Sequence, residues 1–442
     1  MAQKPARIFY GYWILAVSFV SLFVASGLAG YSFSLFVTPL QEEFSWSRAA
    51  IMLANAMRMG IQILVAPVIG RVVDRYGPKQ VMVAGALIQA LALGLLSETG
   101  ALWFFLACYA IEGIGFTALF TIPTTALVSN WFKKRRGWAL GIAAIGVGVG
   151  GVVTAPIVGG YLIPDFGWRA SYQVLSLATL VLVVPLALLV IKTRPSDLGL
   201  HPDRLETSET ETVAQAPSSL ETVFTLKMAA RTSAFWLIIV SYLLFGFVMS
   251  GVFQNNVPHL RDIGFSAVVA STAFGIVGAG SAIGKFGFGW LSDLITPKYA
   301  YCIGIGFMAA GIFLLKSVSL ASPMVVLWLY AGFFGLGIGC FLACISMLVS
   351  QNFGLASYGL IYGMITGFHS IGTATGSVMA GYIYDATGNY DLAFSIFLAL
   401  LLVALVTILP VRRPKSTVIS ARAISQLKGN DSLAKALLIK RK

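Results

Sequence analysis

Four ionisable side chains lie inside stretches of the chain that are otherwise apolar, and chemistry is sought there first. They are Arg58 in "ANAMRMGIQ", Glu112 in "AIEGIGF", Lys285 in "GSAIGKFGFGW" and His369 in "TGFHSIGTATG". If such stretches cross a bilayer, each charge costs roughly 2.5–3.5 kcal/mol, so it needs a partner or a task. Lys285 is an ammonium with three donors, suited to an anion. Gly284 and Gly287 beside it allow a neighbouring helix to approach, which favours a cation held inside over one that snorkels to the interface. His369 is either a satisfied packing residue or, with an ordinary pKa near 6.5, a second donor or proton relay. Arg58 and Glu112 read either as an ion pair offsetting the cost of both, or as a supporting cation and a proton-carrying carboxylate. Gln254 and Asn255, in "FQNNVPHLRD", are neutral groups able to hydrogen-bond a ligand.

Other chemistries find no machinery. There is no His-Glu-x-x-His, no clustered cysteine and histidine set and no nucleophile–base pair, so neither an enzyme nor a metal or other cofactor is expected. The glycine run "GIAAIGVGVGG" lacks the lysine–hydroxyl ending of a phosphate loop and reads as helix packing. The four cysteines all fall in apolar stretches and read as small buried hydrophobes.

The elements that must position these residues are membrane helices. Of 442 residues, 58% are apolar and 11% charged, with a mean hydropathy of +0.85; soluble domains carry about 25% charged residues. Twelve apolar spans can be drawn, each near the ~20 residues that cross the hydrocarbon. The N-terminal "MAQKPARIFYGYW" leads into the first with no small-residue cleavage site. The net charge of +13 is placed in the tails and alternate loops, "GRVVDRYGPK" and "FKKRRG" among them. That is the positive-inside pattern, not a nucleic-acid surface, and it sets both termini in the cytoplasm. The expected fold is all-α, with a six-helix bundle over 1–192, a polar linker over 193–230, a second six-helix bundle over 231–412 and a basic tail over 413–442. "GRVVDRYGPK" is echoed by "GWLSDLITPK", "GWALG" by "GLIYG" and "VTPLQEEFSWS" by "VPHLRDIGFS", all in the same order. Two bundles related as a parallel repeat account for that.

With these motifs in view the chain resembles the major facilitator superfamily over essentially its whole length. "GRVVDRYGPK" is similar to the superfamily's loop between helices 2 and 3, carried here by Gly70, Asp74, Arg75, Gly77 and Lys79, with Asp293 in the echo. The resemblance implies a conformational role, a pairing across the bundles that locks one state. "NWFKKRRGWALGIAAIGVGVGG", "FYGYW" and "RPSDLGLHPD" resemble the monocarboxylate transporter branch and its bacterial oxalate/formate antiporter relatives. Lys285 matches the helix 8 position where those transporters carry a substrate-binding cation. Three departures stand out. Ser281 occupies the place of the aspartate that animal proton-coupled carriers have one turn earlier, their helix 1 lysine falls near Tyr31, and the superfamily's helix 4 arginine falls near Tyr109.

The expectation is therefore a monomeric, multi-pass transporter of the inner (cytoplasmic) membrane. It would move a small organic anion such as lactate, pyruvate, formate or oxalate, by proton symport or anion exchange. Lys285 is the expected counter-ion, with His369, Arg58, Asn255 and Tyr31 as supporting contacts and Glu112 or His369 as the proton carrier. A superfamily efflux pump for hydrophobic compounds is the alternative, and a transporter-derived sensor a further one.

Overall fold

A computed structural model describes residues 9–133, 135–200, 225–354 and 357–413. Most of the expected linker and nearly all of the basic tail lie outside the described residues. Among the described residues there are helices and no strands. The long helices are α1 (Gly11–Phe44), α2 (Arg48–Tyr76), α3 (Pro78–Leu96), α4 (Leu102–Trp131), α5 (Arg136–Ile157, continued by a wider turn over Val158–Leu162) and α6 (Ile163–Val190). There follow α7 (Ser233–Ile263), α8 (Ala267–Leu294), α9 (Pro297–Ser317), α10 (Met324–Phe353), α11 (Tyr358–Thr387) and α12 (Asp391–Ile408). By length and apolarity, ten stretches of the described residues are candidate membrane spans, and one of them, Gly137–Val190, runs through α5 and α6 without a loop. Only at Gly167, φ +81°, does its backbone leave helical values, in a region that glycine alone enters at little cost.

Local signals set the helix ends. Ser47, Thr232 and Ser266 cap α2, α7 and α8 by accepting from the backbone N–H three residues on. Gly77, at φ +86°, ends α2, and Pro78 starts α3 directly after it. Two helices run on past a proline near the end of their apolar stretch. α1 continues through Pro39 to Phe44, and α7 through Pro258 to Ile263, each keeping its helix where hydropathy has already fallen. A proline removes one hydrogen bond but does not stop a turn that is packed on its neighbours.

Helices α1–α6 pack among themselves, α7–α12 do likewise, and the two sets meet along α2 with α11 and α5 with α8. The echo between the "GPK" and "TPK" motifs is an echo of contacts. Lys79 donates to the carbonyl of Leu188 at the end of α6 (2.7 Å), and Lys298 donates to those of Leu409 and Val411 after α12 (3.0 and 3.2 Å). Each lysine satisfies carbonyls that a helix C-terminus leaves without partners, where a cation is also favoured by the dipole.

The two meeting lines are tight at one end only. A side chain at Gly148 of α5 would come within 2.4 Å of Ala282 on α8, and one at Gly381 of α11 within 2.9 Å of the α2 backbone at Arg48 and Ala49. Further along the same lines, side chains at Gly141, Gly287 and Gly363 would meet nothing within 4 Å. The two sets are thus closed where α2 begins and splayed apart at the end bearing the basic loops.

Candidate functional site

The splayed end contains a cavity of about 310 Å³ between the two sets, lined by Leu140, Gly141, Ala144 and Ile145 of α5, Ala282, Lys285 and Phe286 of α8, Leu342 and Ser346 of α10 and Tyr362 of α11. Lys285 is the sole charged side chain in that lining, and it has no hydrogen-bond or ion-pair partner among the described residues. Helix geometry explains its direction. Ile283 and Trp290 are exposed and mark the lipid face of α8. At ~100° per residue, Lys285 lies roughly 200° around from Ile283. It follows Ala282, which touches α5, by one turn, so it reaches the gap that opens as α5 departs. A side chain at Gly284 would come within 2.6 and 3.0 Å of the backbone of Leu336 and Gly339 on α10, so this glycine permits the close packing expected of it, whereas one at Gly287 would meet nothing within 4 Å. Apart from Lys285, the lining offers one hydroxyl from Ser346 and one phenol from Tyr362 against apolar walls.

The other sequence-derived residues do not line this cavity. Tyr31 is buried, with Phe253 and Phe274 at 4.9 and 5.3 Å from its ring, and it faces Ser281, one turn from Lys285. His369 stacks on Phe341 (4.0 Å between centroids) inside the second set, and its Nε2 has no partner. Arg58 is 1% exposed and donates to the Ala29 carbonyl (3.0 Å) and to Asn55 Oδ1 (2.7 Å). Its Nε lies 3.8 Å from Glu112 Oε2, an ion pair without a hydrogen bond, and both Glu112 oxygens lack a donor. Asn255 is consumed internally: it donates to the Gly251 and Ser377 carbonyls and accepts from the Tyr390 hydroxyl.

Asp74 and Arg75 form no hydrogen bond or ion pair with α7–α12 among the described residues. They flank a groove of about 370 Å³ with Asn130, Thr193 and Arg194, all within the first half of the chain. Arg75 lies 5.2 Å from the Tyr76 ring, and Asp293 is exposed. A side chain at Gly70 would likewise meet nothing within 4 Å. This motif sits at the splayed end, where the two sets are apart.

The residues that hold the closed end were not singled out from the sequence. Arg48, 2% exposed, makes a two-pronged ion pair with Asp262 on α7, Nη1 to Oδ2 at 2.5 Å and Nη2 to Oδ1 at 2.6 Å. Its Nε donates to Gln41 (2.8 Å), Nη1 also donates to the Tyr390 hydroxyl (2.9 Å), and the guanidinium lies 3.6 Å from the Tyr384 ring. The backbone N–H groups of Arg48 and Ala49 donate to the Asp385 carboxylate at 2.9 and 2.8 Å, where the negative charge also meets the α2 N-terminus. Burial pushes the Tyr390 phenol up from its ordinary value, so it remains a donor to Asn255. The only available signal was polarity at helix ends: Arg48 beside its cap, and Asp262 in the last turn of α7.

Two helical sets, closed on each other at one end and parted around a cavity at the other, are the architecture of a membrane transporter. Comparison with known proteins supplies the family. The family model of the Major Facilitator Superfamily matches residues 17–353 and again 256–439. Monocarboxylate transporter 13 of Rattus norvegicus is 26% identical over 377 residues, covering 84% of this chain and 82% of its own. Monocarboxylate transporter 12 of Xenopus laevis is 24% identical over 437 residues, covering 94% and 93%. Among solved structures, the nucleoside transporter NupG superposes with a TM-score of 0.72 at 13% identity, over 90% of this chain and 99% of that one. A bacterial homologue of the human lysosomal transporter Spinster, inward-facing and occupied, gives 0.69 at 16% identity, over 92% and 97%. The chain belongs to the Major Facilitator Superfamily, in its monocarboxylate transporter branch, and is a multi-pass membrane transporter of a small molecule, not an enzyme.

Proposed function

We propose that this transporter moves a small monocarboxylate across the cytoplasmic membrane by alternating access, with Lys285 as its counter-ion. The observation that carries the reading is the single unpartnered ammonium in a cavity of about 310 Å³ whose remaining lining is mostly apolar. Binding sites are typically apolar with a few placed polar groups. One positive charge balances one carboxylate, so lactate, pyruvate or formate fits the charge count better than the oxalate dianion. Ser346 and Tyr362 supply hydrogen bonds to the remaining oxygens. Relatives named monocarboxylate transporters point to the same substrate class. The neutral pair Tyr31 and Ser281 occupies the places where the animal carriers hold a lysine and an aspartate, so the charge at the site rests on Lys285.

In this reading twelve helices cross the membrane, as six-helix halves over 1–192 and 231–412, with both termini and the basic loops in the cytoplasm. The cavity then opens inward. Arg48 and Asp262 form the outer closure. Asp74, Arg75 and Asp293 approach one another when the inner end shuts. The chain works as a monomer.

Uptake of labelled lactate, pyruvate, formate and oxalate into proteoliposomes, with and without a pH gradient, tests the proposal. At least one monocarboxylate accumulates above the oxalate level, and uncharged analogues do not compete. Equal competition by uncharged compounds would favour the hydrophobic efflux alternative instead.

A further inference from the structure

We infer that Glu112 is a proton-binding site, and that its charge state is read at the closed end through Arg58 and Asn55. The inference goes beyond Lys285 and rests on the carboxylate reading only for what travels with the proton.

Glu112 is fully buried between α4 and α2, and among the described residues neither of its oxygens has a hydrogen-bond donor. A carboxylate and guanidinium built only for structure offset their desolvation with close, hydrogen-bonded geometry. Here the separation is 3.8 Å, and the facing Arg58 Nε is also without a partner. Neither charge state is cheap. Ionised, Glu112 lacks donors; neutral, it leaves Arg58 as a buried cation with no counter-charge. A group caught between two costly states is able to switch.

Among the described residues, the surroundings hold no second charge to override Arg58. α4 itself contributes Tyr109 and Cys108, and α6 contributes Tyr172. α1 presents the Ala29 carbonyl to Arg58 and Phe33 to Tyr109. α3 presents Gln89, which packs on Gly115 one turn from Glu112, and both its side-chain polar atoms lack partners. On α2, Gln62 sits one turn after Arg58 with its Nε2 equally unsatisfied. This is a polar seam through the first half, separate from the Lys285 cavity.

The seam reaches the closed end. Asn55 accepts from Arg58 and donates across the two sets to Ser377 Oγ (3.1 Å). The Ser377 carbonyl accepts from Asn255, which accepts from Tyr390, which accepts from Arg48, the partner of Asp262. Arg58 donates to Asn55 and Ala29; with Glu112 neutral it keeps these partners, and Asn55 stays aligned on Ser377. When Glu112 releases its proton, the carboxylate draws Arg58 toward itself and away from Asn55, and the crossing to Ser377 loosens. The proton therefore favours the state closed at the Arg48 end, and its loss favours return. That order is the one a proton-and-carboxylate symporter needs.

The test is a distance measured by double electron–electron resonance between spin labels at Glu98 and Ala321, exposed positions on the two sets at the closed end, in the full chain without substrate. In the otherwise unaltered protein, acidification raises the short-distance population at least tenfold relative to the long one. Glu112→Gln holds the short distance at every pH. Proton-gradient-driven uptake of the labelled carboxylate falls at least tenfold in the same variant. If Glu112→Gln follows pH like the parent, the inference is overturned. If it does not fold, Asn55→Ala decides: loss of the pH response supports the relay, and an intact response overturns it. If the parent moves no carboxylate while its distances shift with pH through Glu112, the Lys285 reading falls and this one stands.

Discussion

Removing the counter-charge at the closed end has a cost that can be worked from the contacts. Arg48 is 2% exposed and its two terminal nitrogens are spent on Asp262 at 2.5 and 2.6 Å. Asp262→Asn keeps the shape but leaves the guanidinium with Gln41, Tyr390 and the Tyr384 ring, none of them charged. Breaking a buried pair by removing one partner costs about 3–5 kcal/mol. The Asp262 side chain is 29% exposed, so water recovers part of that, and the lower end applies. About 3 kcal/mol is on the order of a 100-fold shift in an equilibrium. The pair spans α2 and α7 and can exist only while this end is shut, so the loss falls on one conformer alone. In the Glu98 and Ala321 spin-labelled protein, Asp262→Asn should therefore populate a longer distance by about two decades relative to the parent. Exchanging the charges, Arg48→Asp with Asp262→Arg, should bring back part of the short population. An unchanged distance distribution in Asp262→Asn would refute the reasoning.

The remaining expectations follow from other contacts. Gly148→Val places a side chain where the first carbon already comes within 2.4 Å of Ala282; it should disfavour the closed end and cut transport at least tenfold, read by uptake at equal protein in the membrane, and full transport would argue against this crossing. Lys298→Ala removes the donor to two carbonyls after α12 and should lower stability by about 1 kcal/mol, seen as a lower melting temperature in detergent with carboxylate affinity unchanged. Tyr362→Phe takes one hydroxyl from the cavity lining and should weaken carboxylate binding by about 3- to 10-fold, the value of roughly 0.5–1.5 kcal/mol for a neutral hydrogen bond; equilibrium binding to purified protein reads it.

What could be read in advance followed from signals that are local in the chain. Apolar runs and alternating basic loops mark membrane helices whatever they pack against, and the "GPK" and "TPK" echo carries two lysines to the same contact on two helix ends. Lys285 was legible because a charge in an apolar run is conspicuous and its helical phase against Ile283 and Trp290 sets its direction. The closure by Arg48 and Asp262 was not legible. The two residues lie 214 positions apart, each at a helix end where polar residues are ordinary, and hydropathy loses α1 and α7 just before they reach it. Arg58 and Glu112 show the same limit at short range. Opposite charges in neighbouring spans suggest a pair, but only the 3.8 Å spacing and the unpartnered oxygens distinguish a loose pair from a hydrogen-bonded one. Asp74 and Arg75 lie at the splayed end, where among the described residues they form no hydrogen bond or ion pair with α7–α12.

Competition binding to the purified transporter tests the role of Lys285 most directly, using labelled lactate or pyruvate displaced by the free acid or by its neutral amide. Lys285→Gln should weaken carboxylate binding by about 10- to 100-fold, the equivalent of roughly 1.5–3 kcal/mol for a charge-assisted hydrogen bond. Lys285→Arg should stay within about tenfold of the parent, and the amide should fail to displace the label. Undiminished binding in Lys285→Gln, or displacement by the amide as effective as by the acid, would contradict it.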